Sequence, residues 1–150
     1  MAQYYFEDFE PGGTFIGSTR IRVDKPDITR FAAQFDPQPF HLDEDAAKNS
    51  FFAGLAASGW HTSAITMRLL VDSEVKVAGG LIGLGVEELR WPRPVRPGDE
   101  VRVQLEVLDK RISKSRPQQG LVRMRTTTLN QRDEAVQVYI STMIVPRRAF

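Results

Sequence analysis

The sequence predicts an α+β domain in which one long helix packs against a five-stranded antiparallel sheet. Three observations carry that expectation. From Ala56 to Asp72 the chain is apolar at helical spacing, with only Arg68 and Asp72 charged, as in a buried helix. Beyond Gly79-Gly80 the apolar period drops to two and keeps that value through four successive segments. The last three of those segments are joined by short links, which favours a meander of antiparallel neighbours. The 150 residues fit a single domain over 1–150, long enough to bury a core, with no internal repeat or low-complexity stretch.

Residues 1–13 read as an irregular lead-in, broken at Pro11-Gly12-Gly13. Thr14 to Val23 alternates loosely, with Phe15, Ile21 and Val23 on one parity, and reads as one half-buried strand. Asp24 can cap a short helix over Pro26–Gln34, where a proline is tolerated in the first turn. Pro37 ends that helix, because the residue before a proline is pushed out of the α region. Phe35 to His41 is then a loop stiffened by Pro37 and Pro39. Leu42 to Lys48 reads as a short helix with acidic residues at its positive end. Residues 50–54 connect to the long helix, on which Trp60, Ala64, Met67 and Val71 share one face expected to be buried. The strands follow over Leu81–Trp91, Val101–Val107, Leu121–Asn130 and Ala135–Val145. Pro92 and Pro94 end the first, Ser113–Gly120 forms a polar loop, and Asn130–Glu134 makes the last turn.

Composition narrows the function classes. An apolar fraction of 41% and a charged fraction of 26% belong to an ordinary globular chain. A net charge of +1 gives no bulk field toward nucleic acid or an anionic membrane. Cysteine is absent, which excludes disulfides, thiolate metal sites and a Cys nucleophile. The two histidines lie twenty residues apart with no partner motif, so no metal site is expected. Met1 to Asp8 lacks a basic start and an apolar run, so no signal peptide is expected. No apolar run approaches the ~20 residues of a membrane span, and the expected location is the cytoplasm.

The candidate chemistry sits at Asp36 and His41, at the ends of the proline-braced segment. A carboxylate and an imidazole held close can share proton transfer, and imidazole titrates near neutral pH. His61 reads as a helix histidine with its hydrogen bonds satisfied inside the fold. Gly83 and Gly85 lie inside a strand pattern and form no phosphate-cradling loop.

Asp36-Pro37-Gln38-Pro39-Phe40-His41, with Ala47 following, resembles the hydratase motif of the MaoC-like family of (R)-specific enoyl-CoA hydratases and dehydratases. That motif reads Asp-x-Asn-Pro-x-His with a small residue a few positions later. Asp36, Pro39, His41 and Ala47 match it, and Gln38 replaces the usual Asn. Ala57-Ser58-Gly59-Trp60 stands where the family has His-Gly before its central helix, so Ser58 replaces the His. Pro94-Val95 and Pro97-Gly98-Asp99 resemble the family's entry to its third strand. The likeness covers nearly the whole chain and implies the hot-dog fold, a homodimer, and acyl-CoA as substrate, with CoA as part of that substrate and no separate cofactor.

The resemblance implies reversible syn addition of water to a trans-2-enoyl thioester by Asp36 and His41. Gly59 would offer its backbone N–H to the thioester oxygen, in the first turn where such groups are unpaired. Gln38, Ser58 and Trp60 are candidates to meet the substrate. Arg93, Arg96, Lys114 and Arg116 are candidates for the CoA phosphates. Two other readings share the scaffold. One is an acyl-CoA thioesterase. The other is a non-catalytic acyl-thioester-binding subunit, motivated by the departures at Gln38 and Ser58.

Overall fold

The computed structural model describes residues 3–148. Its elements run β1 (Thr14–Ile16), β2 (Ile21–Val23), α1 (Lys25–Phe35), α2 (Pro39–Leu42), α3 (Glu44–Lys48), α4 (Gly59–Val71), β3 (Ile82–Arg90), β4 (Asp99–Ile112), β5 (Gln119–Leu129) and β6 (Ala135–Pro146). The sheet has six strands in the order β1-β4-β5-β6-β3, with β2 also on β4. Every pairing between these strands is antiparallel. Helix α4 packs on the sheet through β4 and β6. This is the hot-dog arrangement, with β3 at one open edge.

The alternation of β4 is the clearest outcome of the sequence pattern. Val101, Val103, Leu105 and Val107 are all buried, while Arg102, Gln104 and Glu106 alternate with them on the other face. The expected first strand is split in two. Ile16 pairs with Gln104 and Ile21 with Val101, so two extra residues leave the ladder between them. Gly17 donates to the Val103 carbonyl at 3.0 Å, and the chain then steps out before rejoining. The lead-in is also more ordered than expected. Phe6 and Phe9 are buried against Val107, Val122 and Val145, and Tyr4 bridges to Val77.

A second cluster joins Ile28 of α1, Leu69 of α4, Val95, and Val101 and Val103 of β4. It holds the α1–α2 segment against the start of α4. The proline-braced segment is only partly a loop. Asp36 caps α1, and Pro39 opens the short helix α2 that carries His41. A proline fits that first helical position, since its fixed φ suits the helix and its missing N–H has no partner there anyway.

The expectation for the long helix is reversed on one face. Trp60, Met67 and Val71 are exposed, at 59%, 49% and 49%. The buried residues of α4 are His61, Thr62, Thr66 and Leu69. Helical spacing finds an apolar stripe correctly, but it does not say whether the stripe meets this chain's own core.

Candidate active site

Helix α4 begins where the α1–α2 segment passes, and two side-chain contacts fasten them. Ser58 caps α4 by accepting from the Trp60 N–H at 3.2 Å. The same hydroxyl donates to Asp36 Oδ2 at 2.7 Å. Asp36 Oδ2 also lies 3.3 Å from His41 Nε2. Gln38 Nε2 donates to Asp36 Oδ1. Burial by itself would raise the Asp36 pKa. The donors Ser58 and Gln38, with the charge available on His41, outweigh burial and hold the carboxyl below its usual range.

His41 is 4% exposed. Its Nδ1 lies 2.6 Å from the Ala56 carbonyl. A carbonyl can only accept, so Nδ1 carries the proton. Neutral His41 therefore presents its lone pair on Nε2, toward Asp36. Protonated there, it becomes an N–H facing a carboxylate. The ring is flanked by Phe40, edge-on at 4.6 Å, and Phe52 at 6.0 Å.

These groups open on a cleft of about 610 Å³ whose lining includes Asp36, Gln38, His41, Gly59, Trp60 and Trp91. Gly59 is the first residue of α4, so its N–H has no acceptor within the helix. Its missing side chain also matters for packing. A Cβ there would sit 2.5 Å from Trp91 Cε2, so the indole can lie against this backbone only because residue 59 is glycine.

The remaining candidates divide. Arg93 lines the cleft, half-exposed and 3.5 Å from Glu134. Arg96 lines it too, but its guanidinium donates to the carbonyls of Phe52 and Leu55 and braces the segment before α4. Lys114 and Arg116 are exposed in the β4–β5 loop and do not line the cleft. Ser58 is fully buried and does not line it either. It acts on Asp36 instead of facing a substrate, a link across 22 residues of sequence that leaves no local signal.

His61 differs from expectation. It is buried, stacked on Phe31 at 4.7 Å, and its Nδ1 has no hydrogen-bond partner. Burial pushes its pKa down, with Asp27 opposing. Among the described residues no group of three or more His, Cys, Asp or Glu is placed to hold a metal ion. Among the described residues no helix is long and apolar enough to cross a membrane. Sequence reading missed Trp91 as a wall of the cleft, because it reads only as the end of a strand. It also missed Gln137, the buried partner of Trp91.

Comparison with known proteins shows what the chain as a whole is similar to. The MaoC-like dehydratase of Rhodospirillum rubrum is 52% identical, covering 98% of this chain and 99% of that one, with a TM-score of 0.93. The R-hydratase PhaJ1 of Pseudomonas aeruginosa is 28% identical, covering 96% and 86%, with a TM-score of 0.74. YdeM, an uncharacterized protein of Bacillus subtilis, is 34% identical over 87% of this chain and 90% of its own length. The model of the MaoC like domain matches residues 8–130, and with it the chain belongs to the MaoC-like hydratase and dehydratase family.

Proposed function

We propose that the protein catalyses (R)-specific hydration of trans-2-enoyl-CoA to 3-hydroxyacyl-CoA, or the reverse dehydration. The single observation that carries this is the pairing of Asp36 with His41 beside the free N–H end of α4, tied together by Ser58. His41, fixed as the Nδ1–H tautomer by Ala56, takes a proton from water through Nε2. The water oxygen bonds to C3, and the C2–C3 π pair moves toward the thioester oxygen. The Gly59 N–H meets the charge on that oxygen. His41 then returns its proton to C2 on the same face, which makes the addition syn, and the thioester carbonyl re-forms. Asp36, held ionised by its donors, stabilises the imidazolium between these two steps.

The test is direct. Purified protein is mixed with trans-2-enoyl-CoAs of several lengths and branching patterns, and loss of the conjugated thioester absorbance is followed. Turnover is expected; none across the series would refute the hydratase assignment.

A homodimer is part of the same proposal. Among the described residues strand β3 pairs only with β6, which leaves its other edge open. Ile82, Leu84 and Val86 on it are exposed, as are Trp60, Met67 and Val71 of α4. So much apolar surface beside an open edge strand calls for a cover. Light scattering should give twice the chain mass, and a monomer at micromolar concentration would argue against it.

A further inference from the structure

Gln137 stands near the start of β6, fully buried, opposite Thr128 on β5. Both ends of its amide are engaged. Oε1 accepts from Trp91 Nε1 at 2.9 Å and from Ser63 Oγ at 2.7 Å. Nε2 donates to Thr66 Oγ1 at 3.1 Å. An indole N–H can only donate, so Trp91 fixes which way the amide faces. Thr66 gives its own proton to the Thr62 carbonyl at 2.8 Å, which makes Thr128 the donor in the 2.6 Å contact between their hydroxyls. The chain of bonds thus leaves one orientation open to the amide and one to the indole.

That indole is the group lying against Gly59. Its Cε2, Cδ2 and Cζ2 atoms lie 2.5–2.7 Å from where a Cβ on residue 59 would stand. Trp60 meets it edge-on at 5.3 Å. The N-terminal half of α4 is therefore gripped twice. On one side Ser58 ties it to Asp36; on the other Gln137 holds Ser63 and Thr66 directly and Gly59 through Trp91.

We propose that Gln137 is a positioning residue for the reaction: by locking the Trp91 indole against Gly59, it fixes the Gly59 N–H where the thioester oxygen gains charge. It touches no substrate. The inference rests on the hydratase assignment above. Its weight comes from geometry, because a donor must meet the oxygen's position in the transition state, where an error of about 1 Å can cost on the order of 10²-fold in rate.

The test is Gln137→Met, close to isosteric but without the acceptor. On folded protein kcat should fall by about 10- to 100-fold while KM moves less than about 3-fold, the signature of an interaction made in the transition state. In fluorotryptophan-labelled protein the Trp91 fluorine resonance should shift and broaden. Trp91→Phe keeps a ring against Gly59 that needs no acceptor, so Trp91→Phe/Gln137→Met should recover most of the lost kcat. A purely structural Gln137 would lower the melting temperature without that kcat loss or that rescue. If Gln137→Met does not fold, Trp91→Ala takes its place: it leaves Gln137 intact and must lower kcat in the same way. Unchanged kcat in a folded variant, or a loss that Phe at 91 does not rescue, overturns the proposal. A wild-type protein with no enoyl-thioester turnover overturns the hydratase assignment and this role together, so the two failures are distinguishable.

Discussion

The two faces of α4 depart from the usual distribution. The face turned inward carries His61, Thr62 and Thr66 beside Leu69; the face turned outward carries Trp60, Met67 and Val71. The inward hydroxyls are not left wanting. Thr66 and Thr62 bond back to carbonyls one turn earlier, and Thr66 also meets Gln137 and Thr128 across the sheet. Buried polar groups are tolerated when each finds a partner. Of the outward side chains, Trp60 meets Trp91 edge-on, while Met67 and Val71 stay half exposed. The polar side thus specifies how the helix sits on its own sheet, and the apolar side suits an association between chains.

The contrast can be broken in four ways, and the largest effect lies where the two faces meet, at the helix start. Asp36→Asn and His41→Ala should each cut turnover by ~10²–10⁴, the usual size of an acid–base contribution, with the melting curve still cooperative. Next comes the outward face. Met67→Glu combined with Leu84→Glu should raise the dissociation constant of the proposed dimer by about 100-fold or more, because an unpaired charge buried in an interface costs several kcal/mol. Sedimentation across a concentration series reads it.

On the inward face Thr66→Val strands the Gln137 amide donor and the Thr128 hydroxyl. It should lower unfolding free energy by about 1–3 kcal/mol in a denaturant titration, with Thr66→Val/Thr128→Val losing less than the sum of the singles. The smallest effect is a pH dependence at His61. Its pKa is lower folded than unfolded, so its stabilising contribution is full above the ordinary histidine value of about 6.5 and is lost as pH falls from there through the folded value. His61→Phe should flatten that part of the stability profile; an equally steep profile would place the dependence elsewhere.

Much of this was legible from local pattern. Period-two alternation gave β4, and the glycine and proline punctuation gave the ends of most elements. The faces of α4 were not legible, since a stripe of apolar side chains looks the same whether it meets its own sheet or another surface. The split of the first strand was hidden because Gly17 to Arg20 leave the ladder only to suit the register on β4. In the site, Pro37 and Pro39 marked the segment carrying Asp36 and His41. Ser58 was noticed as a departure from the family pattern, but its bond to Asp36 depends on how two distant segments pack. Gln137 stood in the strand pattern as one more polar residue, and only the fold shows that it is buried.

The stretch from Leu55 to Ser58 acts as a ruler. Ala56 N–H donates to Phe40 and its carbonyl meets His41; Ala57 N–H donates to Val95; Ser58 reaches Asp36. Each successive residue faces a different fixed neighbour. One residue inserted here would rotate the whole series out of phase, releasing the imidazole and the carboxylate in the same event. The spacing between Ala56 and Gly59 is therefore as much a part of the site as the side chains it holds in place.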